Sequence, residues 1–307
     1  MQTNQATLAA RRYFLDGWTI KDIAAELGVS RFKVARLIEW ARAEGLVRIE
    51  IVETVRSDIE LSAELRSAFG LRDALVVAGL DGRSNAIAPE LAELAALAVA
   101  EVVTSSDVVG ISWGRTLDLL VEHLADFSAK RVVQLIGGLA TLESASGGIE
   151  LVRQLAAKAN TRGYPLLAPV RPQSAAVAEA LRRDPIVAGT LKLIEDVTVV
   201  LAGVGSWGDP PVSRMIECFN ETELSALRER GVVADLCGFL FTKEGEVLRS
   251  LENERIGITR EQLDAAETVL AIAGGTEKHQ ALAAVLRSRM VDILITDAGS
   301  AKQLLRD

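Results

Sequence analysis

The sequence predicts an α/β protein in two parts: an N-terminal winged helix-turn-helix domain over residues 1–54, and a doubly wound, mostly parallel Rossmann-like domain over residues 55–307. Three observations support this prediction. Two helical patterns of apolar residues flank a glycine near position 28, β-branched runs alternate with helical patterns from residue 74 onward, and the charge changes sign near Thr54.

The two N-terminal patterns fit a helix-turn-helix. Apolar residues recur on one face of each helix, at Ile20, Ile23, Ala24 and Leu27 and then at Val34, Leu37 and Ile38. Between the helices, Gly28 can end the first helix in the left-handed conformation, and Ser30 can cap the second. Thr19 and Asp22 are similar to a capping box, although Asp is shorter than the usual Glu or Gln. A helix pair that crosses at such a turn projects its second helix outward.

The flanking segments predict the rest of a small domain. Residues 7–17 indicate a preceding helix, and residues 46–52 alternate apolar and charged side chains like a half-buried strand. That strand would form one side of a wing. Residues 58–69 indicate a connecting helix that Gly70 ends.

The second helix would present most of the DNA contacts, because the early exposed positions of a recognition helix face base edges and phosphates. The candidate DNA-binding residues are Thr19, Lys21, Ser30, Arg31, Phe32, Lys33 and Arg36. The alternative is an ordinary helical hairpin with a solvated basic face. The agreement of turn, caps, apolar period and basic positions favours DNA binding.

Composition and charge are those of a globular protein, with 49% hydrophobic and 25% charged residues. The net charge of −8 divides unevenly, because residues 1–54 carry +1 and the remainder carries −9. Between residues 31 and 48, five basic residues outnumber two acidic ones, so the local charge suits phosphate. We expect one copy alone to bind DNA weakly.

Several other classes of protein receive no support. Residues 1–6 lack the features of a signal peptide, and no long uncharged apolar run suggests a membrane span, so we expect a cytoplasmic protein without a membrane partner. Cys218 and Cys237 are too few for a disulfide framework and give no zinc spacing with the two His residues, so neither a metal nor a cofactor is expected. His123 and His279 are better explained as helix-surface residues than as ligands.

From residue 74 the pattern is that of βαβ units, and the near-continuous apolar runs indicate strands buried on both faces. The predicted strands cover residues 74–78, 108–111, 131–135, 197–202, 231–236, 269–272 and 293–296. The predicted helices cover residues 86–103, 116–124, 149–162, 222–229, 260–266 and 277–288.

Glycine-rich segments follow the predicted strands, and ligands of open α/β sheets lie beyond the carboxyl ends of strands. Gly114 precedes a helix near Thr116, where backbone amides and the helix dipole favour an anion, and Arg115 could add a charge. Similar segments begin at residues 136, 201 and 272. One such segment could simply turn the chain, whereas four at one sheet edge suggest a small anionic ligand.

Charged residues also follow the predicted strands. Asp235 can accept hydrogen bonds from sugar hydroxyls, and Lys278 can bind a phosphate or a carbonyl-derived oxygen. For these two residues ligand contact is favoured over a purely structural role. For Asp297, capping of a following helix is an equal alternative.

Taken together, these segments resemble the SorC family of bacterial sugar-responsive transcription regulators over essentially the whole chain. The matching segments are GISWGRT at 110–116, GG at 137–138, AP at 168–169, GVGS at 203–206, DLCG at 235–238, IGI at 256–258, GGTEK at 274–278 and ITD at 295–297. They are specific jointly, not singly. Arg171 and Pro172 differ from the small residues expected after the Ala-Pro pair.

The resemblance implies a regulator of a carbohydrate-utilisation operon that binds double-stranded operator DNA as a dimer or tetramer. It also implies a non-enzymatic effector domain, similar to sugar-phosphate isomerases, that binds a sugar phosphate, a free sugar or a polyol. The residues expected around the effector are Ser112, Gly114, Arg115, Thr116, Gly137, Gly138, Asp235, Gly274, Gly275 and Lys278.

A phosphosugar isomerase or deaminase is the alternative function. Such an enzyme needs a general base that moves a proton between adjacent carbons. In the isomerases that this sheet resembles, acidic residues follow the middle strand, whereas residues 203–207 here read GVGSW. The glycine segments are thus present without the base, which favours a sensor. A purely structural DNA-binding protein would not need a glycine-lined pocket.

Overall fold

The computed structural model describes residues 2–47, 56–125, 127–139 and 148–306. The chain divides into two compact units, Met1–Thr54 and Val55–Asp307. The division falls where the charge of the sequence changes sign.

In residues 2–47, the described part of the first unit, three helices form: α1 (Gln2–Phe14), α2 (Ile20–Leu27) and α3 (Arg31–Ala43). Helix α1 begins and ends earlier than predicted, and Gly17 lies in the turn after it with a φ of 68°. The predicted apolar faces pack together around Ile23, Val34 and Leu37. Most of the predicted wing strand, from residue 48 onward, lies outside the described residues.

The turn between α2 and α3 has the predicted capping chemistry. Gly28 ends α2 with a φ of 63°, and the Ser30 hydroxyl accepts the Lys33 N–H at 3.2 Å. The Thr19 hydroxyl accepts the Asp22 N–H at 3.3 Å and donates to the Asp22 carboxylate at 2.6 Å. The capping box is therefore incomplete, because the short Asp22 side chain binds the Thr19 hydroxyl instead of the Thr19 backbone N–H.

The second unit is built on nine strands, which are β1 (Asp73–Val77), β2 (Val108–Ile111), β3 (Arg131–Gln134), β4 (Gly163–Tyr164), β5 (Val199–Ser206), β6 (Val232–Leu236), β7 (Phe239–Thr242), β8 (Thr268–Ile272) and β9 (Ile293–Asp297). Its helices are α4 (Ile59–Phe69), α5 (Ser84–Val102), α6 (Arg115–His123), α7 (Gly148–Lys158), α8 (Ala175–Arg183), α9 (Pro185–Ile194), α10 (Glu221–Glu229), α11 (Arg260–Ala265), α12 (His279–Arg287) and α13 (Ala298–Leu304). Short 3-10 helices cover Arg214–Cys218, Arg249–Glu254 and Thr276–Lys278.

Seven strands form the predicted parallel sheet, in the order β1-β9-β8-β5-β2-β3-β4. Helices cover both faces, as in a doubly wound fold: α5, α6 and α7 supply one apolar layer, and α4, α9, α10, α12 and α13 contribute to the other. The predicted fold class is confirmed.

Strands β6 and β7 correct one part of the prediction, because β6 pairs antiparallel to β5 and β7 pairs antiparallel to β6. Cys237 and Gly238 both have positive φ, 48° and 76°, so they form a tight two-residue hairpin turn between β6 and β7. Strand β7 was not predicted, because the Cys237-Gly238 turn lies between two apolar segments and is not marked by a typical turn sequence. Strand β4 and helices α8 and α9 were also not predicted.

Candidate functional site

A cavity of about 330 Å³ opens where β2 and β5 lie side by side. In the parallel sheet, β2 is followed by β3 on one side. The next parallel strand after β5 is β8, which comes after β6 and β7 in the chain and lies on the other side. Ligands of open α/β sheets bind at such a switch point. The cavity is lined by Ser84, Asn85, Ala88, Trp113, Gly114, Arg115, Thr116, Leu117, Gly203, Val204, Gly205, Pro211, Val212, Ser213, Arg214, Glu217, Asp235 and Lys278.

The start of α6 forms one wall of the cavity. Gly114 precedes the helix with a φ of 150°, and its carbonyl accepts the N–H groups of Leu117 and Asp118. The amides of Arg115 and Thr116 occupy the first turn, where a helix leaves its N–H groups without intrahelical partners. The Arg115 guanidinium donates to the Asn85 side chain of α5. This wall therefore offers donors and positive charge to an anion.

Asp235 forms the opposite side of the cavity and is 8% exposed. It lies in β6 directly across from Gly205 of β5, where any side chain would collide with the Asp235 carboxylate. The Trp207 Nε1–H donates to Asp235 Oδ1 at 2.8 Å, and the Ser213 hydroxyl donates to the same oxygen. Burial raises the pKa of Asp235, against the opposing effects of these two hydrogen bonds and of the Lys278 charge.

Lys278 supplies the cation of the cavity. Burial lowers its pKa to about 8; the charge of Arg115 also lowers it, whereas Asp235 and Glu277 raise it. Thus one ammonium of reduced pKa and one carboxyl of raised pKa line the same cavity.

Glu277 holds the segment that carries Lys278. Its carboxylate accepts the Ser84 N–H at 3.0 Å and the Arg83 Nε–H at 3.1 Å, and its carbonyl accepts the Ser206 hydroxyl at 2.6 Å. Burial alone would raise the pKa of Glu277, but hydrogen bonds from its own backbone and from Ser84 and Arg83 lower it to about 2. This carboxylate is therefore ionised and fixes the position of its neighbour.

Five of the predicted effector residues line the cavity, namely Gly114, Arg115, Thr116, Asp235 and Lys278. The structure places the other five elsewhere: Ser112, Gly137, Gly138, Gly274 and Gly275 do not line it. Asp235 also reaches the cavity from an antiparallel strand, not from the end of a parallel strand as expected.

The backbone of the Gly137-Gly138 pair is engaged within the protein. The Gly137 N–H donates to the Ile256 carbonyl at 3.0 Å, and the Gly138 N–H donates to the Ala168 carbonyl at 2.9 Å. A Cβ at Gly137 would lie 2.6 Å from that same Ala168 oxygen. Close approach to the backbone of residues 168–170 accounts for Gly137, whereas a Cβ at Gly138 would meet nothing within 4 Å. The N–H groups of both glycines are used within the protein.

Gly275 is engaged in a similar way. Its N–H donates to the Asp297 carboxylate at 2.8 Å, and Asp297 also accepts the backbone N–H and the hydroxyl of Ser300. Asp297 is fully buried and begins α13. Of the two alternatives for Asp297, the structure has the helix cap.

Sequence reasoning missed several polar residues of the cavity: Asn85, Ser213, Arg214 and Glu217. Asn85 lies in the first turn of α5, and the other three belong to the connection between β5 and α10. These positions do not follow a predicted strand. Only the Asp-Pro-Pro segment at 209–211 marked an unusual connection.

The predicted DNA-binding residues form an exposed surface on α2 and α3. Thr19, Lys21, Ser30, Arg31, Phe32, Lys33 and Arg36 are all exposed. Phe32 is 86% exposed, although Val34 and Leu37 on the other side of α3 are buried. Phe32 lies in sequence beside the exposed basic residues Arg31 and Lys33, and a basic helix surface is of the kind that suits DNA.

Two findings concern possible metal clusters and membrane-spanning helices in the part of the chain that the structure describes. No three His, Cys, Asp or Glu side chains there are grouped so as to hold a metal ion. Among the same residues, no helix has the length and apolar character needed to cross a bilayer. His123 is exposed on α6, and His279 is half-buried at the start of α12.

Comparison with known proteins indicates the class of protein to which this chain belongs. Residues 53–306 match the model of the family described as "Putative sugar-binding domain". The chain is 28% identical over 302 residues to the deoxyribonucleoside regulator of Bacillus subtilis, covering 97% of this chain and 96% of that protein. It is 26% identical over 312 residues to the transcriptional regulator LsrR of Escherichia coli K12, covering 99% and 95%.

A solved structure agrees over the full length. The full-length sorbitol operon regulator SorC from Klebsiella pneumoniae is similar with a TM-score of 0.73 and 25% identity, covering 99% of both chains. Fold and relatives together define a transcriptional regulator with a sugar-binding domain. The chain belongs to this family of SorC-type regulators, so the resemblance found in the sequence is confirmed.

Proposed function

We propose that this protein regulates transcription of a carbohydrate-utilisation operon, with α3 contacting operator DNA and the cavity binding a small effector. One observation carries the proposal: a single chain joins an exposed basic helix-turn-helix to a cavity that presents both a cation and a buried carboxyl group. The first feature suits a nucleic acid, and the second suits a small polar molecule.

The preferred effector is a phosphorylated sugar. Lys278, Arg115 and the first amides of α6 suit a phosphate, because all of them are donors that line the same cavity. Asp235, Ser213 and Asn85 suit sugar hydroxyls, which both donate and accept hydrogen bonds. A free sugar or polyol is the alternative within the same function.

DNA binding by a dimer or tetramer fits the charge of the first unit. Residues 1–54 carry a net charge of only +1, so one copy gains little from the phosphate backbone. Two α3 helices about one duplex turn apart would multiply a weak single contact. Effector binding would then change how these helices are presented, through a difference in affinity between two arrangements.

The isomerase alternative has one observation in its favour, namely the opposite pKa shifts of Asp235 and Lys278 in one cavity. Such pairs occur at acid–base catalytic sites. The relatives are transcriptional regulators, which favours effector binding without turnover. Incubation with hexose and pentose phosphates, followed by NMR, separates the two: new isomers in the presence of the protein would favour the enzyme.

The test of the proposed function uses the full-length protein in two assays. Thermal shift against sugar phosphates, free sugars and polyols should identify a stabilising effector, and saturation at 100 times Kd should add about 2.7 kcal/mol to the free energy of unfolding. Duplexes selected from a random library should bind the wild type, and the effector should change that binding.

Two matched variants separate the two surfaces. Replacing Arg31 and Lys33 with Ala should weaken DNA binding and leave the thermal shift unchanged. Lys278→Gln should reduce the thermal shift and leave effector-free DNA binding intact. A protein that selects no duplex, or loss of only the effector response in the Arg31 and Lys33 variant, would contradict the assignment of α3.

A further inference from the structure

Arg171 lies outside the cavity, yet it is one of the most fully bonded side chains of the described chain. Together with Pro172, it differs from the small residues expected after the Ala-Pro pair at 168–169. Its side chain is 15% exposed, and the guanidinium makes five hydrogen bonds to three partners. The partners are Glu223 at 2.7 and 3.1 Å, Glu254 at 2.8 and 3.2 Å, and the Cys218 carbonyl at 2.9 Å.

These partners belong to segments that are distant in sequence. Glu254 ends the 3-10 helix at Arg249–Glu254, and Glu223 lies in the first turn of α10. Cys218 ends the 3-10 helix at Arg214–Cys218, which also carries the cavity residues Arg214 and Glu217. Arg171 therefore holds the outer end of a segment whose inner side lines the cavity.

A second series of contacts connects Arg171 with Asp235 of the cavity. Its guanidinium lies over the Phe219 ring at 4.5 Å, and Phe219 meets Trp207 edge-on at 5.6 Å between ring centroids. Trp207 in turn donates its Nε1–H to Asp235. Hydrogen bonds on one side and ring contacts on the other thus connect Arg171 with both the 214–218 wall and the Asp235 carboxyl group.

The geometry is specific for arginine. The planar guanidinium donates two parallel bonds to Glu223, forks to Glu254 and stacks on a ring at the same time, and a lysine ammonium cannot reproduce that arrangement. Two carboxylates face the guanidinium, and the bond to Glu223 raises the pKa of Arg171 further. Loss of the guanidinium would leave two acidic groups facing each other without a counter-ion.

We propose that Arg171 is a positioning residue for the effector cavity, which fixes the 214–218 wall through the Cys218 carbonyl, Glu223 and Phe219 without touching the effector. The inference rests on the proposed function of the cavity. How firmly the 214–218 wall is held can be measured without any effector.

The Cys218 thiol reports on the wall directly. It is half-buried, and burial raises its pKa to about 11, so we expect it to react slowly with a thiol reagent at neutral pH. Cys237 is 3% exposed, and burial raises its pKa to about 12. The labelling rate of each thiol can be followed by peptide mass spectrometry on the full-length protein.

In Arg171→Gln we expect Cys218 to be labelled about tenfold faster or more, because local opening of the wall costs less without the five bonds. The charge of Arg171 lowers the pKa of Cys218, so its loss acts in the opposite direction, and faster labelling reports opening of the wall and not a more reactive thiol. Cys237 should keep its wild-type rate. Arg171→Lys, which retains the charge, should fall between the two. If the Gln variant does not fold, the Lys variant alone should still show faster labelling of Cys218.

Arg182→Gln is the matched control. Arg182 of α8 donates to the carbonyls of Asn253 and Arg255, so it anchors the 249–254 region but bonds to no residue of the 214–218 wall. It should leave the labelling of Cys218 unchanged. Equal rates for the Arg171 variants and the wild type, or equal acceleration in Arg182→Gln, would overturn the proposal.

A second measurement extends the test to the cavity. With glucose 6-phosphate and ribose 5-phosphate as probes, Arg171→Gln should weaken any stabilisation of the wild type, whereas Arg182→Gln should not. Stabilisation of equal size in Arg171→Gln and the wild type would refute the positioning role. If neither probe stabilises the wild type, the proposed phosphate site is contradicted, while the labelling result still decides how the wall is held.

Discussion

The pH dependence of effector binding depends on Lys278. Burial lowers the pKa of this side chain to about 8, so the ammonium is present below pH 8 and is lost as the pH rises through that value. A phosphorylated sugar has its second phosphate pKa near 6, so its own charge stays constant above pH 7. Any loss of affinity between pH 8 and 9.5 therefore reports on the protein.

The size of the effect follows from the proton equilibrium. If only the charged form binds the phosphate, affinity should fall by up to about tenfold per pH unit above 8. The effector raises the pKa of Lys278 when it binds, so binding should also take up a proton in this range. The charge of Asp235 opposes deprotonation in both states and does not change the sign.

Isothermal titration calorimetry in buffers of different ionisation enthalpy measures both the affinity and the proton uptake. Lys278→Gln should bind more weakly at pH 7 and lose the slope above pH 8. Lys243→Gln removes a largely exposed lysine in the turn after β7, and this variant should keep the slope above pH 8. A flat affinity from pH 7 to 9.5, or an unchanged slope in Lys278→Gln, would refute the role given to this ammonium.

Three further predictions concern single positions. Phe32→Ala should weaken DNA binding, measured by fluorescence anisotropy, about tenfold. It should not lower the Tm, because the ring is 86% exposed, and a lower Tm would show that the ring packs against the protein. Gly205→Ala should lower the Tm and abolish the effector response, since its Cβ would collide with Asp235. Gly189→Ala should do neither, because nothing lies within 4 Å of the added Cβ and this position of α9 does not line the cavity. Ser30→Ala should cost about 1 kcal/mol of unfolding free energy in urea through loss of the α3 cap, and an unchanged stability would contradict that role.

The helix-turn-helix was predictable because its signals are local. Gly28 and Ser30 lie next to the helix ends that they determine, and the apolar faces recur within a few residues. Six of the seven parallel strands were predictable for the same reason, since each is a short apolar run bounded by glycines or polar residues, whereas β4 has only two residues, Gly163 and Tyr164. Local chemistry also identified the start of α6, where Gly114 precedes the helix.

The shape of the cavity was less predictable, because it depends on pairing between distant segments. Asp235 reaches the cavity only because β6 turns back antiparallel and places it opposite Gly205. Gly275 and Asp297 look like ligand residues in the sequence, but they bond to each other across adjacent strand ends. The sequence pattern around one residue contains no information about such a partner 22 positions away.

The glycines of the family signature have at least three different physical roles. Gly137 allows backbones to approach closely, Gly205 leaves room for a buried carboxyl group, and Gly114 leads into the amides of α6. The first two roles would be the same for any effector. The signature therefore defines the scaffold and the start of α6, where we propose that an anion binds, and it does not identify the sugar.

Effector identity should then depend on the polar lining residues outside the signature, which are Asn85, Ser213, Arg214 and Glu217. Three of these lie in or next to the 214–218 wall that Arg171 holds from behind. A departure from the family pattern at Arg171 and the selectivity of the cavity are thus linked through one segment. Exchanging these lining residues should change which sugar is bound, whereas Arg171→Gln should weaken all sugars together; a variant of Arg171 that only switches preference would contradict this division.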